Sequence, residues 1–108
     1  MAGRILNVIF KFNVTGEEYV EAVQPLVDDV AKVPGMQWKI WILNEDTSEA
    51  GGVHLFEDET ACNNYLASPL VGIITSHPAL SDFDVKQFDV MEEETAVTRG
   101  PVGAVVHN

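Results

Sequence analysis

The sequence has few positive charges and almost no cysteine. Six lysines and arginines stand against 17 aspartates and glutamates, which gives a net charge of −11 at neutral pH. The positive residues are scattered singly along the chain, so we expect neither a nucleic acid nor a membrane surface as a partner. The single cysteine, Cys62, excludes an internal disulfide framework and a zinc cluster built on thiolates.

Long apolar runs and binding fingerprints are also missing. No run approaches the roughly 18 residues of a membrane span, and the apolar stretch after Arg4 is too short for a signal peptide, so we expect a cytoplasmic protein. Gly51-Gly52 leads into a strand rather than a helix, and no G-x-G-x-x-G accompanies it, which disfavours nucleotide binding. We predict no metal site and no cofactor, since paired short spacings are lacking among His54, His77, His107 and Cys62.

The apolar patterning predicts four strands and two helices. Alternation indicates strands over residues 4–12, 36–43, 50–56 and 82–90. A capping-box pattern, Thr15 with Glu18, starts a helix that runs to about Lys32 with a kink at Pro25. A second helix runs from about residue 59 to 76, with an interruption near Pro69 and Gly72. The order β-α-β-β-α-β predicts a ferredoxin-like α+β fold, a four-stranded antiparallel sheet with both helices on one face.

Large apolar residues occupy both faces of these strands. Ile5 and Ile9 lie behind Leu6 and Phe10, and the other three strands repeat the arrangement. Two helices cover only one face, whereas a solvated face would carry polar residues. We therefore expect a homodimer packed sheet to sheet, with a buried area of about 2,000 Å² or more.

The composition changes near residue 94, where we place the end of the domain. Residues 1–94 form the ferredoxin-like unit and residues 95–108 a C-terminal tail. The acidic triplet Glu92-Glu93-Glu94 is typical of a solvated edge. The apolar segment 102–106 either packs along the partner subunit or is disordered.

Candidate site residues lie on the predicted strands. His54 sits in mid-strand, where a neutral imidazole facing an apolar cavity would act as a base near pH 7, although a hydrogen-bonded surface or interface histidine is the commoner case. Trp38 and Trp41 are three apart and point to opposite faces, so only one can line a given cavity as an aromatic wall. Both are alternatively core or interface residues.

Four polar residues complete the set of candidates. Asn7 and Tyr65 are suited to hydrogen-bond a phenolate or bound dioxygen, and Asn13 closes the first strand. Lys39, on the face of Trp41, is either part of this set or a charge at an edge or interface. For His77, which precedes Pro78 at a helix end, interaction with the helix dipole is favoured.

Several motifs in combination resemble one family. They are Trp38-Lys39-Ile40-Trp41, then Glu49-Ala50-Gly51-Gly52, then Leu55-Phe56-Glu57-Asp58-Glu59, followed by Tyr65-Leu66 and Phe88-Asp89-Val90. Over residues 5 to about 92 the chain resembles the YdhR-like monooxygenases, and it departs from them over residues 68–80 and after residue 94. The resemblance implies a dimeric α+β barrel, related to oxygenases that act on electron-rich aromatic compounds without a cofactor.

These observations favour an oxygenase that uses neither metal nor flavin. His54 would remove a proton from an activated phenol or related carbon acid, and the substrate carbanion would itself reduce dioxygen. The ligand would be a small aromatic or polyketide-like compound. Two alternatives remain: a homodimer that binds a small molecule without catalysis, and a barrel that binds or degrades haem with His77 as an axial ligand.

Overall fold

A computed structural model describes residues 3–102 of the chain and shows one four-stranded antiparallel sheet. The strand order is β2-β3-β1-β4. The strands are β1 (Arg4–Phe12), β2 (Met36–Asn44), β3 (Glu49–Phe56) and β4 (Leu80–Asp89). The helices are α1 (Gly16–Val23), α2 (Val27–Ala31), α3 (Glu59–Leu66), α4 (Pro69–Thr75) and α5 (Glu92–Val97), with a 3₁₀ turn at Gln24–Leu26. The predicted ferredoxin-like α+β fold is confirmed.

Proline residues divide both predicted helices. The predicted capping box starts α1, because the Thr15 hydroxyl accepts a hydrogen bond from the Glu18 amide at 3.0 Å and the Glu18 carboxylate accepts one from the Thr15 amide at 2.9 Å. Pro25 lacks an amide proton, and the chain passes through a 3₁₀ turn there before it resumes as α2. The second helix becomes α3 and α4, with Pro69 as the first residue of α4.

The main core lies between the sheet and the helices. Alternate residues of β1, among them Leu6, Phe10 and Phe12, point to the helices and are buried. Tyr19 of α1 packs on the Phe12 ring at a centroid distance of 5.2 Å, and Tyr65 of α3 packs on Phe56 of β3 at 5.4 Å. These aromatic contacts hold α1 and α3 over opposite ends of the sheet.

The other face of the sheet is partly exposed. It carries Ile40 of β2 and Phe88 of β4, which are 54% and 50% exposed in the isolated chain. The predicted apolar second face is therefore present.

The C-terminal region contains a helix that the sequence analysis missed. The acidic triplet forms the first turn of α5, where negative charge interacts favourably with the helix dipole, and the domain end predicted at residue 94 falls inside this helix. Beyond it, the Trp38 indole nitrogen donates a hydrogen bond to the Pro101 carbonyl oxygen at 2.8 Å, and Val102 is buried. The start of the predicted tail thus packs on its own sheet, and residues 103–108 lie outside the described part.

Between residues 3 and 102, no helix is long and apolar enough to cross a membrane. Within the same range, histidine, cysteine, aspartate and glutamate side chains form no group of three suited to hold a metal ion.

Candidate active site

A cavity opens between the sheet and the helices, and its wall is almost entirely apolar. Strand residues such as Val8, Phe10 and Phe83 form its floor, while Val23 of α1 and Ile74 of α4 belong to its roof. The cavity has a volume of about 80 Å³. A cavity with such a lining favours an apolar, flat ligand over a sugar or a nucleotide.

His54 is the polar side chain buried most deeply in this wall, with 1% of its surface exposed. Its Nδ1 atom lies 3.0 Å from the Leu6 carbonyl oxygen. A carbonyl oxygen only accepts hydrogen bonds, so Nδ1 carries the proton and Nε2 keeps its lone pair. Nε2 is buried without a hydrogen-bond partner among the described residues. The site thus presents a neutral imidazole with a free acceptor nitrogen.

The surroundings of His54 keep its ring uncharged. Burial lowers the pKa of His54 from 6.5 to about 4; the bond to the Leu6 carbonyl opposes this shift, and the nearby charge of Lys39 adds to it. Phe56 stacks on the imidazole at a centroid distance of 6.1 Å, and Tyr65 packs at 5.6 Å. Burial also raises the pKa of Tyr65, so its hydroxyl stays protonated and able to donate at neutral pH.

Lys39 and Trp41 contribute the β2 side of the cavity. Lys39 lies directly opposite His54 in the sheet register, and Trp41 lies opposite Gly52. The Lys39 Nζ atom sits 3.6 Å from the centre of the Trp41 ring, a cation–π contact. Burial lowers the pKa of Lys39 from 10.5 to about 8. The sequence analysis left Lys39 undecided, although its shared parity with Trp41 was the signal that both lie on one face of the sheet.

Gly52 makes room for this arrangement. A Cβ atom there would lie 2.5 Å from Cε of Lys39 and 3.2 Å from Cε1 of His54. The lysine side chain therefore crosses β3 over a position that has no side chain. The Gly51-Gly52 pair serves close packing of strands and side chains, not a phosphate.

Three predicted site residues lie away from the cavity. Trp38 and Asn7 point to the opposite face of the sheet, where Trp38 faces Leu55 and Asn7 faces Val53 in the strand register. Trp38 bonds to Pro101 and cannot serve as an aromatic wall for this cavity. Asn13 is exposed just after β1, and its side-chain amide donates to the Pro78 carbonyl oxygen at 3.4 Å. Strand alternation separates the first two from His54, and the end of the strand separates the third.

His77 reaches the cavity wall from the connection between α4 and β4. Its Nδ1 atom accepts a hydrogen bond from the Ala79 amide at 3.1 Å. In the neutral ring the proton is then on Nε2, which leaves that nitrogen without a lone pair for a metal. This geometry does not support His77 as an axial haem ligand.

The chain matches a family model described as "Putative mono-oxygenase ydhR" over residues 5–101. The chain belongs to the ydhR family. The resemblance stated from the motifs is confirmed, and the match extends further than predicted, through α5 to Pro101. No curated protein sequence gives a match.

Solved structures share the fold of this ydhR-family chain at low sequence identity. SnoaB from Streptomyces nogalater, a cofactor-independent oxygenase, is 17% identical with a TM-score of 0.68, covering 83% of this chain and 94% of its own. A dimeric ferredoxin-like protein of unknown function from Thermobifida fusca is 18% identical with a TM-score of 0.64, covering 82% and 92%. The haem degrader MhuD from Mycobacterium tuberculosis is 14% identical with a TM-score of 0.65, covering 82% and 95%.

Proposed function

We propose that this ydhR-family protein is a cofactor-independent monooxygenase that acts on a small, electron-rich aromatic compound. The observation that carries the proposal is the buried His54 ring, whose Nε2 atom keeps an unpartnered lone pair on the wall of an apolar cavity. Such an atom is able to accept a proton from a substrate bound against it. Membership of a monooxygenase family supports the same reaction class.

The reaction is written for an anthrone-like substrate, whose ring methylene is made acidic by the adjacent aromatic system. His54 Nε2 accepts one methylene proton, and the electron pair left behind spreads over the rings as a carbanion. The carbanion transfers electrons to dioxygen, and a carbon–oxygen bond forms to give a peroxide. The imidazolium returns its proton to the terminal oxygen of the peroxide, which restores neutral His54. The second methylene proton then leaves with that hydroxyl group as water, so the methylene becomes a carbonyl and one oxygen atom enters the product.

The low pKa of His54 is compatible with this role. It keeps the imidazole neutral, and therefore able to accept a proton, throughout the physiological pH range. When the carbanion forms, its negative charge stabilises the new imidazolium, and the attraction is strong because the apolar cavity has a low dielectric constant. Tyr65 also lines the cavity, and its hydroxyl, which stays protonated because burial raises its pKa, would donate a hydrogen bond to the substrate.

We also propose that the protein works as a homodimer whose subunits pack through the second face of the sheet. Ile40 and Phe88 are large and half-exposed on that face, while Val97 at the end of α5 and Met91 just before it are 78% and 66% exposed. Apolar side chains concentrated in this way favour burial against a second copy. The fold of the dimeric ferredoxin-like protein from Thermobifida fusca supports this arrangement.

The test is oxygen uptake by metal-stripped protein with an anthrone as substrate. The wild-type protein is expected to accelerate uptake above buffer, and His54→Ala to lower the rate by about two to four powers of ten, the usual effect of losing a general base. His54→Gln is the matched variant, because its side-chain amide still donates to a carbonyl but offers no basic nitrogen. Imidazole added to His54→Ala is expected to restore part of the rate.

Two results would overturn the oxygenase. A His54→Ala protein as active as the wild type across a substrate panel would exclude this residue as the base. Wild-type uptake equal to buffer, with aromatic compounds still bound, would identify a binding protein instead. Addition of haem is a parallel control, since a Soret shift and haem breakdown would support the haem alternative.

A further inference from the structure

Among the described residues that line the cavity, Lys39 is the only lysine, and no arginine, aspartate or glutamate lines it. Its aliphatic part lies over Gly52, and its ammonium group lies over the Trp41 ring. The other titratable groups of the wall are His54 on β3, Tyr19 on α1, Tyr65 on α3 and His77 after α4. None of these brings a negative charge to the ammonium group at neutral pH, since burial raises the tyrosine pKa values, Tyr19 to about 12.

The charge on Lys39 is uncompensated in spite of the acidic composition. Of the chain's 17 acidic residues, none between residues 3 and 102 forms an ion pair with it; the recorded pairs join Arg4 to Glu59 and Asp89, and Lys86 to Asp84. Partial burial of an ammonium group without a counter-ion is unfavourable, and the Trp41 ring offsets only part of that cost. An anionic group that entered the cavity would supply the missing counter-charge.

The same place also suits the neutral part of a ligand. Lys39 and His54 are neighbours on adjacent strands and on the same face of the sheet. The cavity wall beside them is apolar and includes Val8, Phe10 and Phe83. A planar ring against this wall would bring an oxygen substituent to the ammonium group while its acidic proton faces a neutral acceptor. We infer that Lys39 forms an anion-binding position that selects the ionised oxygen of an aromatic alcohol or enol.

This inference rests on the proposed function for the aromatic nature of the ligand, and it deepens that function by naming the group that holds the ligand oxygen on which the negative charge resides after deprotonation. It assigns Lys39 a role in substrate selection. The deprotonated substrate carries much of its negative charge on the oxygen, and the ammonium group of Lys39 would lie beside that oxygen. The inference concerns binding, so it is tested without turnover.

The probe is 4-nitrophenol, whose neutral and ionised forms absorb at different wavelengths, bound to excess protein and titrated from pH 5 to 9. The wild type is expected to lower the pKa of the bound phenol by about one unit or more, which is about a tenfold preference for the anion. Lys39→Met is expected to place that pKa at or above its value in water, because an apolar cavity disfavours an unpaired anion. Lys39→Arg keeps the charge and is expected to keep the preference.

The controls separate a local effect from a change in overall charge or folding. Lys86→Met removes a lysine from the opposite face, beside Asp84, and is expected to behave as the wild type. Lys39→Gln serves as a second neutral variant if Lys39→Met does not fold. The uncharged analogue 4-nitroanisole is expected to bind wild type and Lys39→Met with affinities within about threefold of each other, as no anion is involved.

Three results of the binding experiment would overturn the inference. It fails if 4-nitrophenol does not bind at millimolar concentration, if the bound phenol keeps or raises its pKa in the wild type, or if Lys39→Met and Lys86→Met behave alike. A lowered phenol pKa without oxygen uptake would retain the anion position and remove the oxygenase. Oxygen uptake that depends on His54 but not on Lys39 would retain the oxygenase and exclude the anion-binding position.

Discussion

His54 and Leu6 face each other on adjacent antiparallel strands, and the imidazole Nδ1–H donates to the Leu6 carbonyl oxygen at 3.0 Å. The acceptor is a main-chain atom, so no side-chain substitution at Leu6 removes it. The bond sets both the orientation of the ring and the identity of its free nitrogen. A hydrogen bond from the side chain to a main-chain oxygen 48 residues away in the sequence therefore decides what His54 is able to do.

The first prediction concerns acid stability. The pKa of His54 is 6.5 when unfolded and about 4 in the native protein, so the unfolded chain binds more protons between these values. The free energy of unfolding is fully retained above pH 6.5 and falls as the pH decreases towards 4. We expect His54 to account for a loss of roughly 2 to 3 kcal/mol between pH 7 and 4.5.

His54→Gln is the matched comparison, measured by urea unfolding at both pH values. This variant should lose less free energy on acidification than the wild type, because it lacks the group that must stay neutral. The carboxylates titrate in both proteins and cancel in the difference. Identical losses in the two proteins would show that His54 is not held neutral by burial.

The second prediction contrasts two adjacent glycines. Gly51 has φ of 154°, and a Cβ atom there would collide with the Val8 carbonyl oxygen of the neighbouring strand. Gly51→Ala is therefore expected to destabilise the protein by about 2 kcal/mol or more. At Gly52 the obstacle is the flexible end of Lys39, which is able to move.

Gly52→Ala is accordingly expected to change the free energy of unfolding by less than about 1 kcal/mol and to weaken the binding of 4-nitrophenolate through displacement of Lys39. Thermal unfolding and the absorbance titration measure the two effects separately. Equal destabilisation by both substitutions would contradict the assigned geometry.

The third prediction separates the two tryptophans. Trp41→Phe keeps an aromatic wall but weakens the cation–π contact with Lys39, so 4-nitrophenolate should bind about two- to fivefold more weakly, which corresponds to about 0.5–1 kcal/mol. Trp38→Phe removes the hydrogen bond to Pro101 on the other face and should cost about 1 kcal/mol of stability at unchanged ligand affinity. Calorimetric titration measures the affinities. Weaker binding by Trp38→Phe and unchanged binding by Trp41→Phe would show that the ligand binds on the second face of the sheet, not in the cavity.

The fourth prediction concerns assembly. Ile40→Glu and Phe88→Glu place a charge on the second sheet face, on the edge strands β2 and β4 respectively, and are each expected to shift sedimentation from dimer to monomer at micromolar concentration. Val20→Glu is the control, since Val20 is 42% exposed on α1, away from that face. A monomeric wild type, or a dimer that tolerates both substitutions, would exclude the proposed packing.

Local sequence patterns determined much of this protein. Alternation with a period of two located all four strands within a few residues, and it grouped Lys39 with Trp41 on one face and Trp38 with Ile40 on the other. The Thr15 and Glu18 pair located the start of α1. These features depend on residues close together in the chain, which is why composition and spacing reveal them.

Tertiary structure alone decided which face the helices cover. The alternation of side chains along a strand shows which of them share a face, but it does not show which face the helices cover. The sequence therefore could not decide whether Trp41 or Trp38 lines the cavity, and it could not exclude Asn7 from it. The bond from His54 to Leu6 and the return of Pro101 to Trp38 join residues 48 and 63 positions apart. Such contacts arise only when whole strands and helices pack, because their free energy comes from burial of surfaces that are distant in sequence.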